Sequence, residues 1–205
     1  MRIPAINTIK NTLGAVLVGG TVLFTPIYSK AKPQQDKFEY VTPKVPPQGT
    51  TDLNVLKSAP SPKVVIKGDT INAAIVVDVS KNVLYHYDEH GNALEAFSVA
   101  TGKPSTPTHT GVRRISHVEV YPYKTAPAST KRRKNPKDYG PKAIILDKLD
   151  PKTGETSYYG EFIHGNNKPS SIGTYASKGC IRMDNEVIKR LAKQVKRGLI
   201  VVIKK

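Results

Sequence analysis

The chain has 205 residues, 38% of them hydrophobic and 23% charged, with a formal net charge of +16. That balance excludes a wholly disordered polymer and leaves room for one substantial domain with appendages. The single cysteine, Cys180, excludes an internal disulfide framework, and the excess of Lys and Arg points to polyanionic surroundings.

The first thirty or so residues are unlike the rest. Arg2 and Lys10 flank the start of an uncharged apolar run from Leu13 to Ile27, and Ser29-Lys30-Ala31 follows with a small-x-small pattern. Residues 1–31 are therefore expected to be a signal peptide or, if uncleaved, an N-terminal anchor, because a run this short stands at the lower limit for a membrane span. Either way the remainder is exported, to the periplasm or cell wall, and membrane contact arises only through an uncleaved signal. Without residues 1–31 the charge is still +13. For an exported chain the available polyanions are wall polymers, peptidoglycan carboxylates and anionic lipid, so nucleic acid is not expected as a partner. Its unpaired thiol is either reactive, bonded to another molecule, or a buried inert side chain.

Residues 32–70 are expected to form a tether. Six prolines fall between Pro33 and Pro62, with Lys, Gln and Thr around them and little periodic hydrophobicity, so extended chain is predicted. Ordered pattern begins near Ile71, and residues 71–205 are expected to be the folded domain. Ala73 to Val79 and Val83 to Tyr87 predict a hairpin turning at Lys81-Asn82. Further strands are predicted at Ala93 to Thr101, Val112 to Tyr121, Ala143 to Leu146 and Tyr158 to Ile163. Many short strands punctuated by Gly, Pro and Asn indicate a mainly β fold, an antiparallel sandwich or barrel-like sheet. One helix is predicted: Asp184 is its N-cap, Val187, Ile188, Leu191 and Val195 recur at helical spacing, and Lys193, Lys196 and Arg197 crowd its C-terminal end. Leu199 to Ile203 reads as a closing strand.

The chemistry-bearing residues lie in Ile163-His164-Gly165-Asn166-Asn167, then Ser171-Ile172-Gly173, then Ser177-Lys178-Gly179-Cys180-Ile181-Arg182-Met183. Here the only thiol stands just before a helix start and between Lys178 and Arg182, each of which favours thiolate. His164, sixteen positions upstream at a strand end, is a candidate base, and a Cys–His pair is a standard route to a thiol nucleophile. Gly165, Gly173 and Gly179 permit tight backbone that aims amides at an oxyanion. A turn-rich loop with a merely hydrogen-bonded His164 remains the alternative on these residues alone. Elsewhere, His86 and His90 fall in a strand and its turn, so no metal site is expected. Lys131-Arg132-Arg133-Lys134 reads as a solvated loop or as a basic lid. Tyr121, Tyr123, Tyr139, Tyr158 and Tyr159 read as half-buried strand residues or as a groove lining.

The pattern I-H-G-x-N, S-I-G, S-x-G-C-I-R-M resembles the signature of the L,D-transpeptidase (YkuD-type) catalytic domain, over roughly Ala73 to Ile203. Val99-Ala100-Thr101-Gly102-Lys103-Pro104 resembles that family's strand ending in Thr-Gly, and Thr108-His109-Thr110-Gly111 stands where members usually carry Thr-Pro-x-Gly. The resemblance implies Cys180 as nucleophile and His164 as general base and acid. It implies that the Gly165 carbonyl orients His164 and that the amides of Lys178, Gly179 and Cys180 form an oxyanion hole. Arg182 would hold substrate carboxylate or brace the loop, and Ser177 and Asn166 would contact substrate. Many members have a second His before the Gly-Cys pair, where this chain has Lys178, so a single-His mechanism is implied. The implied reaction joins peptidoglycan stem peptides in 3→3 cross-links through a Cys thioester, with no cofactor and no metal. Hydrolysis of the same thioester would make it an L,D-carboxypeptidase. Another cysteine peptidase of wall peptides and a non-catalytic basic wall-binding protein are the rival readings.

Overall fold

The computed structural model describes residues 45–205 and, ahead of them, a short antiparallel pairing of β1 (Leu17–Val18) with β2 (Thr21–Val22). The rest of the expected export segment 1–31, and residues 32–44, lie outside the described residues.

The chain then runs through α1 (Leu53–Lys57), β3 (Lys63–Ile66), β4 (Asp69–Asn72), β5 (Ile75–Asp78), β6 (Val83–Tyr87), β7 (Ala93–Ser98), β8 (Thr101–Gly102) and β9 (Gly111–Val120). It continues through α2 (Lys131–Lys134), β10 (Lys142–Leu149), β11 (Thr156–His164), β12 (Tyr175–Ser177), β13 (Ile181–Arg182), α3 (Asn185–Gln194) and β14 (Ile200–Lys204). Eight strands make one sheet in the order β13-β11-β10-β9-β14-β5-β6-β7. The fold is mainly β, as the strand spacing predicts. The sheet is mixed, however: β14 runs parallel to β5 and β13 parallel to β11, and the remaining neighbours are antiparallel. The parallel pairs are not made by the β13–α3–β14 unit, whose two strands run in opposite directions: β13 comes alongside β11 through the loop that carries β12, and β14 lies beside the early strand β5.

Alternation of side chains sorts the core. Ile75 and Val77 of β5, Leu84 of β6, Ile144 and Leu146 of β10 and Ile163 of β11 pack with Val187, Ile188 and Leu191 of α3 in the main core. Their alternates face the other side. At one end of that side Val76, Val83, Tyr85 and Tyr87 meet Val45, Val55 and Ile66. At the other end Ala143, Ile145 and Phe162 meet Tyr123 and Ala126 from the long excursion between β9 and β10, with Tyr139 and Cys180 packed beside them. Both faces are thus covered, which is why β5 and β6 are buried along their whole length.

The tether expected over 32–70 does not hold from Val45 onward. Val45, Val55 and Ile66 are each at most 8% exposed, Thr50 exchanges backbone hydrogen bonds with Ala96 on β7, and Asp52 caps α1 by accepting from the Asn54 amide. Arg190 of α3 donates to the Gln48 carbonyl and to Glu95. These apolar residues are too widely spaced to show a period, yet together they cover a sheet face that would otherwise be bare.

The predicted helix is observed at Asn185–Gln194. Its cap is Asp184, whose carboxylate accepts from the amides of Glu186 at 2.8 Å and Val187 at 3.2 Å.

Candidate active site

The site is built where β11 and β13 run side by side. Their register pairs Ile163 with Ile181 and His164 with Arg182, which aligns Cys180 with Phe162, two residues before His164. In a strand, residues two apart share a face, so His164, Phe162 and the Cys180 loop converge on one side of the sheet. Phe162 in turn belongs to the small core against which Cys180 packs.

Short ties hold the Cys180 loop. Gly179 adopts φ of +112°, a conformation that disfavours any side chain. Its amide donates to Ser177 Oγ at 3.1 Å, and its carbonyl accepts from Thr108 Oγ1 at 2.7 Å. Thr108 Oγ1 also accepts from the Gly102 amide at 2.9 Å, so the Thr-Gly strand and the Thr-His-Thr-Gly turn both brace the nucleophile loop. The His at position 109 leaves that bracing intact, because it is Thr108 that makes it.

His164 is 3% exposed, and its Nδ1–H donates to the Gly165 carbonyl at 2.5 Å, leaving Nε2 as the basic nitrogen. Gly165 must be glycine because a Cβ there would come within 2.8 Å of Pro141 Cδ. The Tyr139 ring lies over the imidazole with centroids 4.7 Å apart, tilted by 41°. Burial pushes the imidazole down to about 4, and the Arg182 charge acts in the same direction against the Gly165 hydrogen bond.

Burial likewise pushes the Cys180 thiol up to about 11, with Glu161 adding to the rise. A backbone hydrogen bond from Phe162 and the charges of Arg182 and Arg132 oppose it. The expectation of a thiol activated by Lys178 and a helix terminus is therefore corrected. The first free amides of α3 are held by Asp184, and Lys178 is exposed; the cations acting on the thiol are Arg182 and Arg132. Both members of the pair are neutral at rest, and among the described residues no hydrogen bond joins Sγ to the imidazole.

Three further expectations change. The Gly179 amide is engaged by Ser177 Oγ, which leaves the Lys178 and Cys180 amides, neither of which donates to an acceptor among the described residues. Ser177 is 1% exposed and braces the loop, so it does not face a substrate. Asn166 is also buried: its Nδ2 donates to the Met183 carbonyl at 2.7 Å, its Oδ1 accepts from the Lys168 amide at 2.7 Å, and its backbone exchanges hydrogen bonds with the Asn185 side chain. It ties the His164 loop to the start of α3. Arg182 is half-buried beside His164, and its Nε is sealed from solvent with no partner among the described residues.

Four neighbours of the pair take parts that sequence reading did not assign to them. Arg132, inside the run read as a solvated loop or lid, is 5% exposed, pairs with Glu119 through Nε at 2.5 Å, and lies 4.9 Å from the Phe162 ring centroid. Arg113 and Glu161, also buried, pair at 2.6 Å. Tyr139 stacks on the base. Alternation along β9 and β11 could have flagged Arg113 and Glu161 as charges at inward positions, but nothing local marks their partner. A pocket of about 420 Å³ opens beside Cys180, with Thr106, His109, Tyr159, Glu161 and Lys178 among its walls.

Comparison with known proteins agrees with this arrangement. The sequence profile of the L,D-transpeptidase catalytic domain matches residues 72–203. A protein of Escherichia coli K12 described as "Probable L,D-transpeptidase ErfK/SrfK" is 31% identical over 146 residues, covering 69% of this chain and 47% of that protein. A Bacillus licheniformis protein that carries the L,D-transpeptidase name YkuD is 31% identical over 161 residues, covering 76% of this chain and 82% of the relative. The chain thus spans about half the length of the E. coli relative and most of the Bacillus one. Among solved structures, Bd1075 of Bdellovibrio bacteriovorus aligns with a TM-score of 0.48 at 21% identity, over 71% of this chain and 52% of that one. The chain belongs to the L,D-transpeptidase catalytic-domain family.

Proposed function

We propose that this protein is an exported peptidoglycan L,D-transpeptidase, with Cys180 as the nucleophile and His164 as its single base and acid. The observation that carries the proposal is the pairing of a lone thiol with a buried imidazole whose Nδ1 is fixed by Gly165, so that only Nε2 is basic. Because thiol and imidazole are both neutral at rest, the proton leaves Sγ as Sγ attacks and does not leave beforehand. Sγ bonds the carbonyl carbon of stem residue three, and the Lys178 and Cys180 amides hold the oxyanion. The imidazolium then gives its proton to the departing D-alanine amine, leaving a thioester. A side-chain amine from a second stem displaces Sγ and forms the 3→3 link.

Arg182, half-buried beside His164 in the β11–β13 register, holds a substrate carboxylate. The acyl transfers need no metal or organic cofactor. Residues 1–31 direct export and 32–44 act as a tether, placing the domain in the periplasm or wall, where the basic surface meets anionic polymers.

Incubation with a carbapenem and with a disaccharide–tetrapeptide tests this reading. Wild type should gain the mass of the acyl adduct and yield 3→3 dimers, and Cys180→Ala should do neither. Cross-linking by Cys180→Ala would remove the nucleophile from the proposal. Release of D-alanine without dimers at any acceptor concentration would make the enzyme an L,D-carboxypeptidase.

A further inference from the structure

Glu161 stands in the wall of the pocket that Cys180 shares, in a place where a carboxylate works against the nucleophile. Its negative charge disfavours thiolate, so its presence is not explained by the first acyl transfer. The way it is held points elsewhere. Glu161 Oε2 accepts from Arg113 Nε at 2.6 Å. The other two nitrogens of that guanidinium are already used: Nη1 donates to the Val112 carbonyl at 3.1 Å and Nη2 to the His109 carbonyl at 2.9 Å. Arg113 is 2% exposed and Tyr159 lies 5.3 Å from its guanidinium carbon, so the cation cannot swing to embrace both carboxylate oxygens.

Glu161 Oε1 is left without a hydrogen bond among the described residues, and it is not among the sealed polar atoms. The strand prepares this exposure. Register slips between the Leu146–Glu161 and Asp147–Tyr158 pairs, and Gly160 takes φ of +73°, a bulge that takes Tyr159 and Gly160 out of the regular ladder immediately before Glu161, beside the pocket.

We propose that Glu161 Oε1 receives the incoming acceptor amine and so selects amine over water in the second half-reaction; this rests on the thioester mechanism proposed above. The amine nitrogen bonds the acyl carbon and acquires positive charge. Oε1 accepts a hydrogen bond from one of its N–H groups. The C–S bond then breaks with its electron pair returning to Sγ, and the proton lost by nitrogen passes through His164 to the thiolate. Water attacking the same carbon also develops positive charge, but its protonated oxygen is far more acidic than an ammonium and sheds the proton as it forms, so the carboxylate stabilises the longer-lived charge on nitrogen more. Glu161 is a specificity-determining residue under this account, and Arg113 is the positioning residue that fixes which oxygen is free.

The test separates the two half-reactions with a disaccharide–tetrapeptide donor and a free diamino acid as acceptor. Acylation is followed by intact mass, and partition by the ratio of cross-linked product to hydrolysed tripeptide. Glu161→Gln retains an oxygen for Arg113 but removes the charge. It should acylate faster at neutral pH, because the thiol pKa falls, while its ratio of aminolysis to hydrolysis drops by about tenfold, the scale of one charge-assisted hydrogen bond. Glu161→Asp keeps the charge and retracts the free oxygen, and should lose aminolysis without the faster acylation. An unchanged partition ratio in both variants would overturn the inference. Absence of any acyl-enzyme in wild type would instead overturn the thioester reading.

Discussion

Asn166 separates two accounts of the His-Gly-x-Asn segment: a substrate ligand, as its place in the motif suggests, or a brace, as its contacts show. Asn166→Ala removes a donor that reaches the Met183 carbonyl at 2.7 Å and an acceptor that receives the Lys168 amide at 2.7 Å. The two losses differ in cost. Met183 is fully buried, so its carbonyl is left unsatisfied, at about 1–3 kcal/mol, whereas Lys168 is exposed and its amide turns to water, at about 1 kcal/mol. The sum, roughly 2–4 kcal/mol, corresponds to a Tm drop of about 5–15 °C for a domain of this size. Thermal unfolding by circular dichroism measures it, and steady-state kinetics below the shifted transition should show KM little changed. Asn166→Asp keeps the acceptor, removes the donor and adds a buried charge, so it should be at least as destabilising as alanine. A Tm within about 2 °C of wild type together with a KM raised by an order of magnitude would refute the brace and restore Asn166 as a substrate ligand.

Two other outcomes are expected. His164 is held neutral in the fold, down at about 4 from an unfolded value near 6.5. The unfolded chain therefore takes up a proton that the native state refuses: this contribution is complete above about pH 6.5 and is lost as pH falls toward 4. Wild type minus His164→Asn, measured by urea unfolding across that window, should show the slope, and parallel curves would show that the imidazole is not desolvated. Arg182→Gln should raise the Cys180 pKa and slow iodoacetamide alkylation several-fold at a given pH, while Lys178→Gln should keep the wild-type profile, because Lys178 is solvated. A larger effect from Lys178 than from Arg182 would reverse that assignment.

The strands and the helix were legible because each carries a local signal. Val83 to Tyr87 is a β-branched and aromatic run bounded by turn residues and is observed with those bounds, and the α3 helix begins with the cap that Asp184 announces. Cys180 and His164 were legible because a thiol beside glycine, downstream of a strand-terminal His-Gly, is a compact local pattern. What could not be read depends on distant partners. Val45 and Val55 look like stray apolar residues in a Pro-rich segment until β5 and β6 expose a face to cover. Arg132 looks like one cation among four until Glu119, thirteen residues earlier, is brought beside it. Ser177 and Asn166 have side chains typical of substrate ligands, and only the fold reveals that neighbouring backbone groups already hold them.

The electrostatics of the pair give Arg182 two opposed effects that a bound carboxylate would change together. In the empty site its charge favours the thiolate and disfavours the imidazolium. A substrate carboxylate bound beside the Arg182 guanidinium would cancel both effects. Sγ would then hold its proton more firmly, while Nε2 of His164 would become a stronger base. Both groups would then hold a proton more firmly, so the balance of transfer from Sγ to Nε2 changes little, and between turnovers the partly buried thiol stays protonated because burial outweighs the nearby cations.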